Sequence, residues 1–377
     1  MLGDVHGGLH HPPRRVAECD TLSSVTATAA KKAPAKKAAA KPRPTPVEPR
    51  QLSVWYIGNF RPEHSTENHV AEALANVGVR VSKFQEDDHG IGSAGNLLSN
   101  GSTPDFILWT RTRWGTDIQD DLNRQARLTL RLARSRGVPV VGYHLDIWWG
   151  LKRETEVSTE PFFDVDLLVT ADGGHDDRWE ATGVNHLWMP PAISRRQAEV
   201  GTPRDEFRSP IAFVGSHDGG YHPEHEHRHQ LVQWLRQNYR RDCAFWPRPG
   251  QHAVRGKDLQ DLYASVDVVV GDSCFAGTGL NRYWSDRIPE TIGRGGFLLH
   301  PNVPGLEDHF VDGEHLVTWD AFDWSGLGTL IETALSAPED RRDITLTGRQ
   351  HVLEHHTYEV RMCQLIDTLV ERGMVPR

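Results

Sequence analysis

Ser285-Asp286-Arg287-Ile288-Pro289-Glu290-Thr291-Ile292-Gly293-Arg294-Gly295-Gly296-Phe297-Leu298-Leu299-His300 is the stretch that decides how this chain is read. An Arg and a Glu flank the start of a short helix, which ends at a Gly pair and runs into an apolar strand. Pro289 suits a first helical turn, where its missing N–H would have been unpaired. Gly295 and Gly296 take the left-handed turn that stops a helix. A helix opening beside a cleft presents free N–H groups and a positive dipole end to an anion, typically a phosphate. Glu290 then stands one turn away, within reach of ribose hydroxyls. A nucleotide diphosphate site needs this arrangement. The same residues also read as a plain helix start with an i, i+3 pair between Arg287 and Glu290, and the stretch alone leaves both readings open.

Outward from it, strands alternate with helices, the pattern of parallel sheets with crossover helices. Upstream in the second half, strands are expected at Ile211–Gly215, Cys243–Trp246 and Val266–Gly271, with helices over Glu226–Tyr239 and Leu259–Ala264. Gly296–His300 and Glu314–Thr318 complete that sheet. In the first half, strands are expected at Ser53–Gly58, Val79–Val81, Asp105–Trp109, Val138–Gly142 and Asp166–Thr170. A helix spans Thr66–Val77. Ile118, Leu122, Ala126, Leu130 and Ala133 fall on one face of another, which Gly137 ends. A polar joint, Ser194–Ser209, separates the halves. Two Rossmann-like units in tandem place a cleft between the carboxyl edges of two parallel sheets.

The chain continues with Pro301-Asn302-Val303-Pro304-Gly305-Leu306-Glu307-Asp308-His309-Phe310-Val311-Asp312-Gly313-Glu314-His315. Then come Pro338-Glu339-Asp340-Arg341-Arg342, Gly348-Arg349-Gln350-His351-Val352-Leu353 and His356-Thr357-Tyr358-Glu359-Val360-Arg361. In this order the elements resemble the C-terminal half of GT-B glycosyltransferases, in the spore-maturation-protein branch of the group 1 type. The resemblance covers about residues 210–370; the first half matches in layout only. It implies an α/β fold of two Rossmann-like domains facing across a cleft. The expected division is a Lys/Ala/Pro-rich tail over 1–50, an acceptor domain over 51–200 and a nucleotide-sugar domain over 205–357. A C-terminal helix over 358–377 would cross back to the first domain.

By the same resemblance, Glu290 binds the ribose hydroxyls of a nucleotide sugar. Arg287 offsets the diphosphate charge, a task suited to the Arg fork, and Gly215 lets the backbone approach the phosphates. Ser216, Arg248, Asp272 and Ser273 occupy other loops at the strand ends of the second domain and are expected on the donor. In the first domain His144 and Asp146 follow a strand and would face the transferred sugar or the acceptor, with Asp146 as base or as a helix N-cap. Arg111 and Arg113 are second-rank candidates, and Asp172-Gly173-Gly174-His175 reads as a turn and cap. One position departs from the family: many retaining enzymes place a second Glu eight residues before the ribose Glu, and here that residue is Arg282. The stereochemistry stays open.

Composition narrows the classes. Of the net charge of −9, the first 50 residues hold nine Lys/Arg against four Asp/Glu, which leaves −14 on residues 51–377. A polyanionic partner for the acidic part is unexpected; the tail is a linker or a weak tether to an acidic surface. Cys19, Cys243, Cys274 and Cys363 show no metal or disulfide spacing, which suits a reducing cytoplasm. No apolar run reaches the ~18 residues of a membrane span. His225-Glu226-His227-Arg228-His229 formally matches the zinc-hydrolase helix motif, yet it opens a helix after a Rossmann strand, and a metal-free site is the reading preferred. The expectation is a hexosyltransferase with a nucleotide-sugar substrate, no resident cofactor, and an acceptor (protein, glycan or small molecule) that the sequence does not name. The alternatives are a non-catalytic sugar- or nucleotide-binding protein and a zinc hydrolase.

Overall fold

The structure, a computed structural model, describes residues 51–112, 116–217 and 226–376. The expectations on the 1–50 tail, Arg113, the Ile118 side chain and His225 lie outside these.

The first domain runs β1 (Ser53–Gly58), α1 (Thr66–Asn76), β2 (Arg80–Gln85), α2 (Gly90–Ser99), β3 (Phe106–Trp109), α3 (Thr116–Ser135) and β4 (Val140–His144). It continues with α4 (Glu156–Thr159), β5 (Leu167–Thr170), α5 (Asp176–Thr182) and β6 (His186–Trp188). Its six strands are parallel, in the order β2-β1-β3-β4-β5-β6. The second domain runs β7 (Ser209–Val214), α6 (Glu226–Asn238), β8 (Cys243–Trp246), α7 (Gly256–Ala264), β9 (Val266–Val270), α8 (Arg287–Gly293), β10 (Leu298–Pro301) and β11 (Val317–Trp319). These five strands are also parallel, in the order β11-β10-β9-β7-β8. Helices α9 (Trp324–Ser336), α10 (Pro338–His355) and α11 (Tyr358–Glu371) close the chain.

Inner strands such as β3 and β5 are apolar throughout because both faces of the sheet are covered there, whereas the edge strand β2 is largely polar and exposed. Val54, Tyr56, Phe106 and Leu108 turn to one core, Ile57, Ile107 and Trp109 to the other. In the second sheet Ala212 and Val269 face one core while Phe213, Val268 and Val270 face its opposite. The last helix belongs to the first domain's core: Tyr358, Met362, Leu365 and Leu369 pack with Val54, Tyr56, Val70 and Leu74. Thr357 caps α11 by accepting from the Val360 N–H, and the Tyr358 N–H donates to the Ile193 carbonyl, which fixes the crossing. Among the described residues, no helix is long and apolar enough to cross a membrane.

Helices α2, α4, α5, α9 and α10 and strand β6 are not among the sequence expectations, and α2 and β6 show why. Helix α2 carries Gly90, Gly92 and Gly95, poor helix formers. A Cβ on Gly92 would lie 2.4 Å from Gln125 Oε1, and one on Gly95 2.5 Å from Thr129 Oγ1. Glycine is used there to seat α2 hard against α3, so packing overrides propensity. Strand β6 is three residues long and only half-buried, too short to show a period.

Candidate active site

In an open parallel sheet a ligand sits beyond the carboxyl ends, where the strand order reverses. The first sheet reverses between β1 and β3, the second between β7 and β9. A two-lobed cleft opens there. One lobe, about 430 Å³, is lined by Glu67, Thr110, Tyr143 and Asp146 of the first domain and by Ser216, Arg228, Arg255 and Arg287 of the second. The other, about 390 Å³, is bordered by His64, His69, Gln197, Leu259, Glu290 and Arg294. Thr66, Glu67, Arg255, Asp286 and Tyr358 line both.

On the second-domain wall, the N–H groups at the start of α8 are not free. Arg287 N–H points to Ser285 Oγ at 3.4 Å, Ile288 N–H to the Ser285 carbonyl at 3.3 Å, and Glu290 N–H to the Asp286 carbonyl at 2.9 Å; Pro289 has none. The sequence pointed to this helix start as an anion cradle, and local turns consume its donors instead. Positive charge comes from side chains. Arg287 lies on the backbone of Gly215: a Cβ there would stand 2.0 Å from Arg287 Nη1, and φ of +152° disfavours any side chain. Gly215 therefore makes room for Arg287, where the sequence reading had it meeting the phosphates.

Asp272 is corrected in the same way. Its carboxylate is buried and accepts from His227 Nδ1 at 2.7 Å and Arg228 Nε at 2.6 Å. Burial alone would raise it, but the His227 hydrogen bond and the Arg228 charge hold it below the usual carboxylate range. Asp272 is thus the anchor of Arg228, which itself lines the cleft. Ser273 is buried, accepts from the Phe275 N–H at 3.2 Å and lines neither lobe. Arg248 also lies outside: it stacks 4.4 Å from the Trp246 ring centroid and donates to the Glu206 carbonyl. Ser216 does reach the cleft, and so does Glu290, whose carboxylate is 3.6 Å from Arg294 Nη2. Asp286 is wetted by the cleft but crowded by protein elsewhere; lost hydration, then the Glu290 charge, push its carboxyl up.

The first-domain wall is built from dispersed pieces. Glu67 sits in the first turn of α1, behind the Ser65 cap, and is buried. The Tyr56 hydroxyl and Thr110 Oγ1 are 3.1 Å apart beneath it. His144 and Asp146 line the same lobe. Burial pushes the His144 imidazole down, and its ring packs edge-on to Trp148. Asp146 is held by Arg153 Nη1 at 3.0 Å. No helix starts at Asp146; the Trp148 and Trp149 N–H groups donate instead to Asp172 Oδ2, at 2.7 and 3.0 Å. Arg111 is buried against Glu160 at 2.9 Å, away from the cleft.

Arg282 joins the two walls. At φ of +57° its backbone N–H donates to the Pro304 carbonyl and its carbonyl accepts from the Gly173 N–H at 3.2 Å. The guanidinium meets Asp176 at 2.8 Å and stacks over Trp188. Gly173 and Gly174 allow the contact, since Cβ atoms there would lie 2.4 Å from the Arg282 carbonyl oxygen and 1.8 Å from Asn281 Oδ1.

This architecture has known counterparts. An α-glucosyltransferase solved with UDP superposes with a TM-score of 0.61 at 9% identity, over 85% of this chain and 100% of its own. HepE from Anabaena, solved with UDP and glucose, gives 0.55 at 10% identity, over 85% and 100%. Sucrose-phosphate synthase from Thermosynechococcus elongatus gives 0.55 at 13%, over 86% and 100%. Residues 225–367 match the glycosyl transferase-like family. The chain has the GT-B fold, and its similarity to the glycosyl transferase-like family is confined to residues 225–367. No curated protein matches its sequence. The family match begins within the His tract, whose described residues face apart in this GT-B domain: His227 and Arg228 turn to Asp272, while His229 borders an outer groove with Arg236 and Arg240. Among the described residues, no group of three or more His, Cys, Asp or Glu is placed to hold a metal ion.

Glu67, Arg228, Arg255 and Tyr358 line the cleft without having been singled out for it from the sequence. Arg228 was visible only as a letter inside the His tract. Glu67 had one signal available, a Ser-x-Glu helix start directly after a strand that ends in Gly.

Proposed function

We propose that the chain transfers a hexose from a nucleotide diphosphate donor to an acceptor hydroxyl, with no metal ion. The observation that carries this reading is the charge division across the cleft: Arg228, Arg255 and Arg287 on one wall, Glu67 and Asp146 on the other. As the sugar–oxygen bond breaks, the diphosphate gains charge, and groups that meet that charge lower the barrier more than they tighten binding. Fixed guanidiniums do so without reorganising; Gly215 seats Arg287 and Asp272 orients Arg228. Glu290 borders the adjoining lobe, where its carboxylate accepts from the ribose hydroxyls. HepE and the α-glucosyltransferase were solved with UDP, so UDP sugars are the donors to test first, against GDP, ADP and TDP sugars. The true donor raises the melting temperature, since a ligand that binds only the folded state stabilises it, and is then turned over to free nucleotide in chelator. Loss of turnover in chelator, restored by a divalent cation, overturns the metal-free step.

A second reading, a non-catalytic nucleotide-sugar binder, is favoured by one observation: the residue eight before Glu290 is Arg282, which is engaged between the domains and lines neither lobe. Stabilisation by a sugar nucleotide without nucleotide release selects it.

A further inference from the structure

We propose that Glu67 takes the proton from the acceptor hydroxyl; this role rests on the transfer reaction proposed above. Five carboxylates border the cleft in one lobe or both, and four have other tasks or positions. Glu63 is exposed and borders one lobe only. Asp146 is tied to Arg153. Asp286 and Glu290 belong to the donor wall. Glu67 is the buried carboxylate of the acceptor wall, at the strand-order reversal of the first sheet, where the fold itself directs a ligand. It lines both lobes, so it borders the place where sugar and acceptor must meet.

The site is built around this side chain. Gly58 ends β1, and a Cβ there would come within 2.8 Å of Glu67 Cγ, so glycine leaves the carboxyl its space. Thr66 and Thr110 flank it with hydroxyls able to orient an acceptor. Loss of hydration raises the carboxyl against the lowering hydrogen bonds from its own backbone, Ser65 and Asn59. A base moved toward neutral pH transfers a proton more effectively. The titratable groups facing it are Tyr56 on β1, Glu86 after β2, Tyr358 on α11 and, across the cleft, Arg255 and Asp286.

In the step, the acceptor oxygen bonds to the anomeric carbon as its proton passes to a Glu67 carboxylate oxygen. The bond from that carbon to the diphosphate breaks, and its electron pair leaves with the nucleotide, facing Arg228, Arg255 and Arg287. Proton and electron pair are both accounted for, with no further reagent.

The structural alternative is an acid that only complements the α1 dipole. The full chain is assayed with the sugar nucleotide that stabilises it most, with water as acceptor and free nucleotide as readout. For Glu67→Gln we expect nucleotide release about 100-fold slower, donor affinity within about twofold, and loss of the acid limb of the pH–rate profile. Glu67→Ala should regain activity on adding formate, which a dipole role would not permit. Release within threefold of wild type with the acid limb intact overturns the role of Glu67 alone, as does Glu67→Ala unmoved by formate. A wild type that binds donors yet releases no nucleotide overturns the transfer reaction itself, and Glu67 with it.

Discussion

The two walls of the cleft hold their charges differently. On the donor wall two of the three Arg are pinned: Arg287 on the bare backbone of Gly215, Arg228 on the buried Asp272. The acceptor wall is assembled from α1, the end of β3, the end of β4 and α11, and it carries carboxyl and hydroxyl groups. A wall that must neutralise a leaving diphosphate needs rigid cations, because electrostatic stabilisation depends on preorganisation. A wall that receives the acceptor needs groups that accept a proton. The comparison breaks if disturbing the pins leaves turnover intact, and sharpens if each wall loses its own function.

The largest effect is expected at the buried pin. Asp272→Ala strips the partner from His227 and Arg228 and leaves a guanidinium facing a hole. Breaking a buried pair costs about 3–5 kcal/mol, so denaturant unfolding should show a loss of that order, together with weaker donor binding. Asp272→Asn keeps the shape and should lose less. Next is Arg287→Ala, expected to lower kcat about 100- to 1,000-fold, the scale of removing one oxyanion donor, with a smaller change in donor affinity. Gly215→Ala should reproduce much of this defect with Arg287 present, because the new methyl occupies the guanidinium's seat. Steady-state kinetics of both variants decide it; normal turnover in Gly215→Ala would remove the pinning account.

The joint between the walls makes the third test. His356 lies between α10 and α11, stacked on Phe310 at 4.5 Å and accepting from Arg361 Nη2 at 2.7 Å. Burial first, then the Arg361 charge, push its imidazole down to about 2, with His309, His351 and His355 also facing it. The folded value is depressed, so the stability from neutral His356 is full above the unfolded value near 6.5 and is lost as pH falls from there toward about 2. By pH 5 one such group has given up about 2 kcal/mol. The melting temperature should fall between pH 7 and 5, and His356→Gln should flatten that fall.

Glu290→Ala comes fourth. Two ribose hydroxyls on one carboxylate are charge-assisted bonds worth about 1.5–3 kcal/mol each, so donor affinity should drop about tenfold or more. A helical partner of Arg294 and nothing else would instead cost a few tenths of a kcal/mol of stability and leave calorimetric affinity unchanged.

What could be read in advance follows the same division. Fold class was legible because strands buried on both faces are continuous apolar runs, as in Phe106–Trp109. The second-domain wall of the cleft was legible in part because Arg287, Glu290 and the Gly pair are contiguous. Its charge source was misread: the α8 N–H groups look free in a sequence, and only the turn geometry of Ser285 and Asp286 shows them occupied. Asp272 and Arg228 are 44 residues apart and no local pattern links them. Glu67, Thr110 and Tyr358 converge on the acceptor wall from three separate elements, so their meeting is a property of the sheet order and of the α11 crossing.

The smallest effect is expected at Arg248, and it tests where the donor wall ends. From the sequence it stood beside the other loop residues, following a strand of the second sheet. Its guanidinium instead covers the Trp246 ring and reaches the Glu206 carbonyl, just after the edge strand β8 and outside both lobes. An exposed cation–π contact is worth about 0.5–1 kcal/mol, so Arg248→Ala should lose at most about that much stability. Donor affinity and kcat should stay within about twofold. A tenfold loss of donor affinity would mean that the nucleotide extends past β8, and the boundary drawn by Arg228, Arg255 and Arg287 would have to move outward to include it.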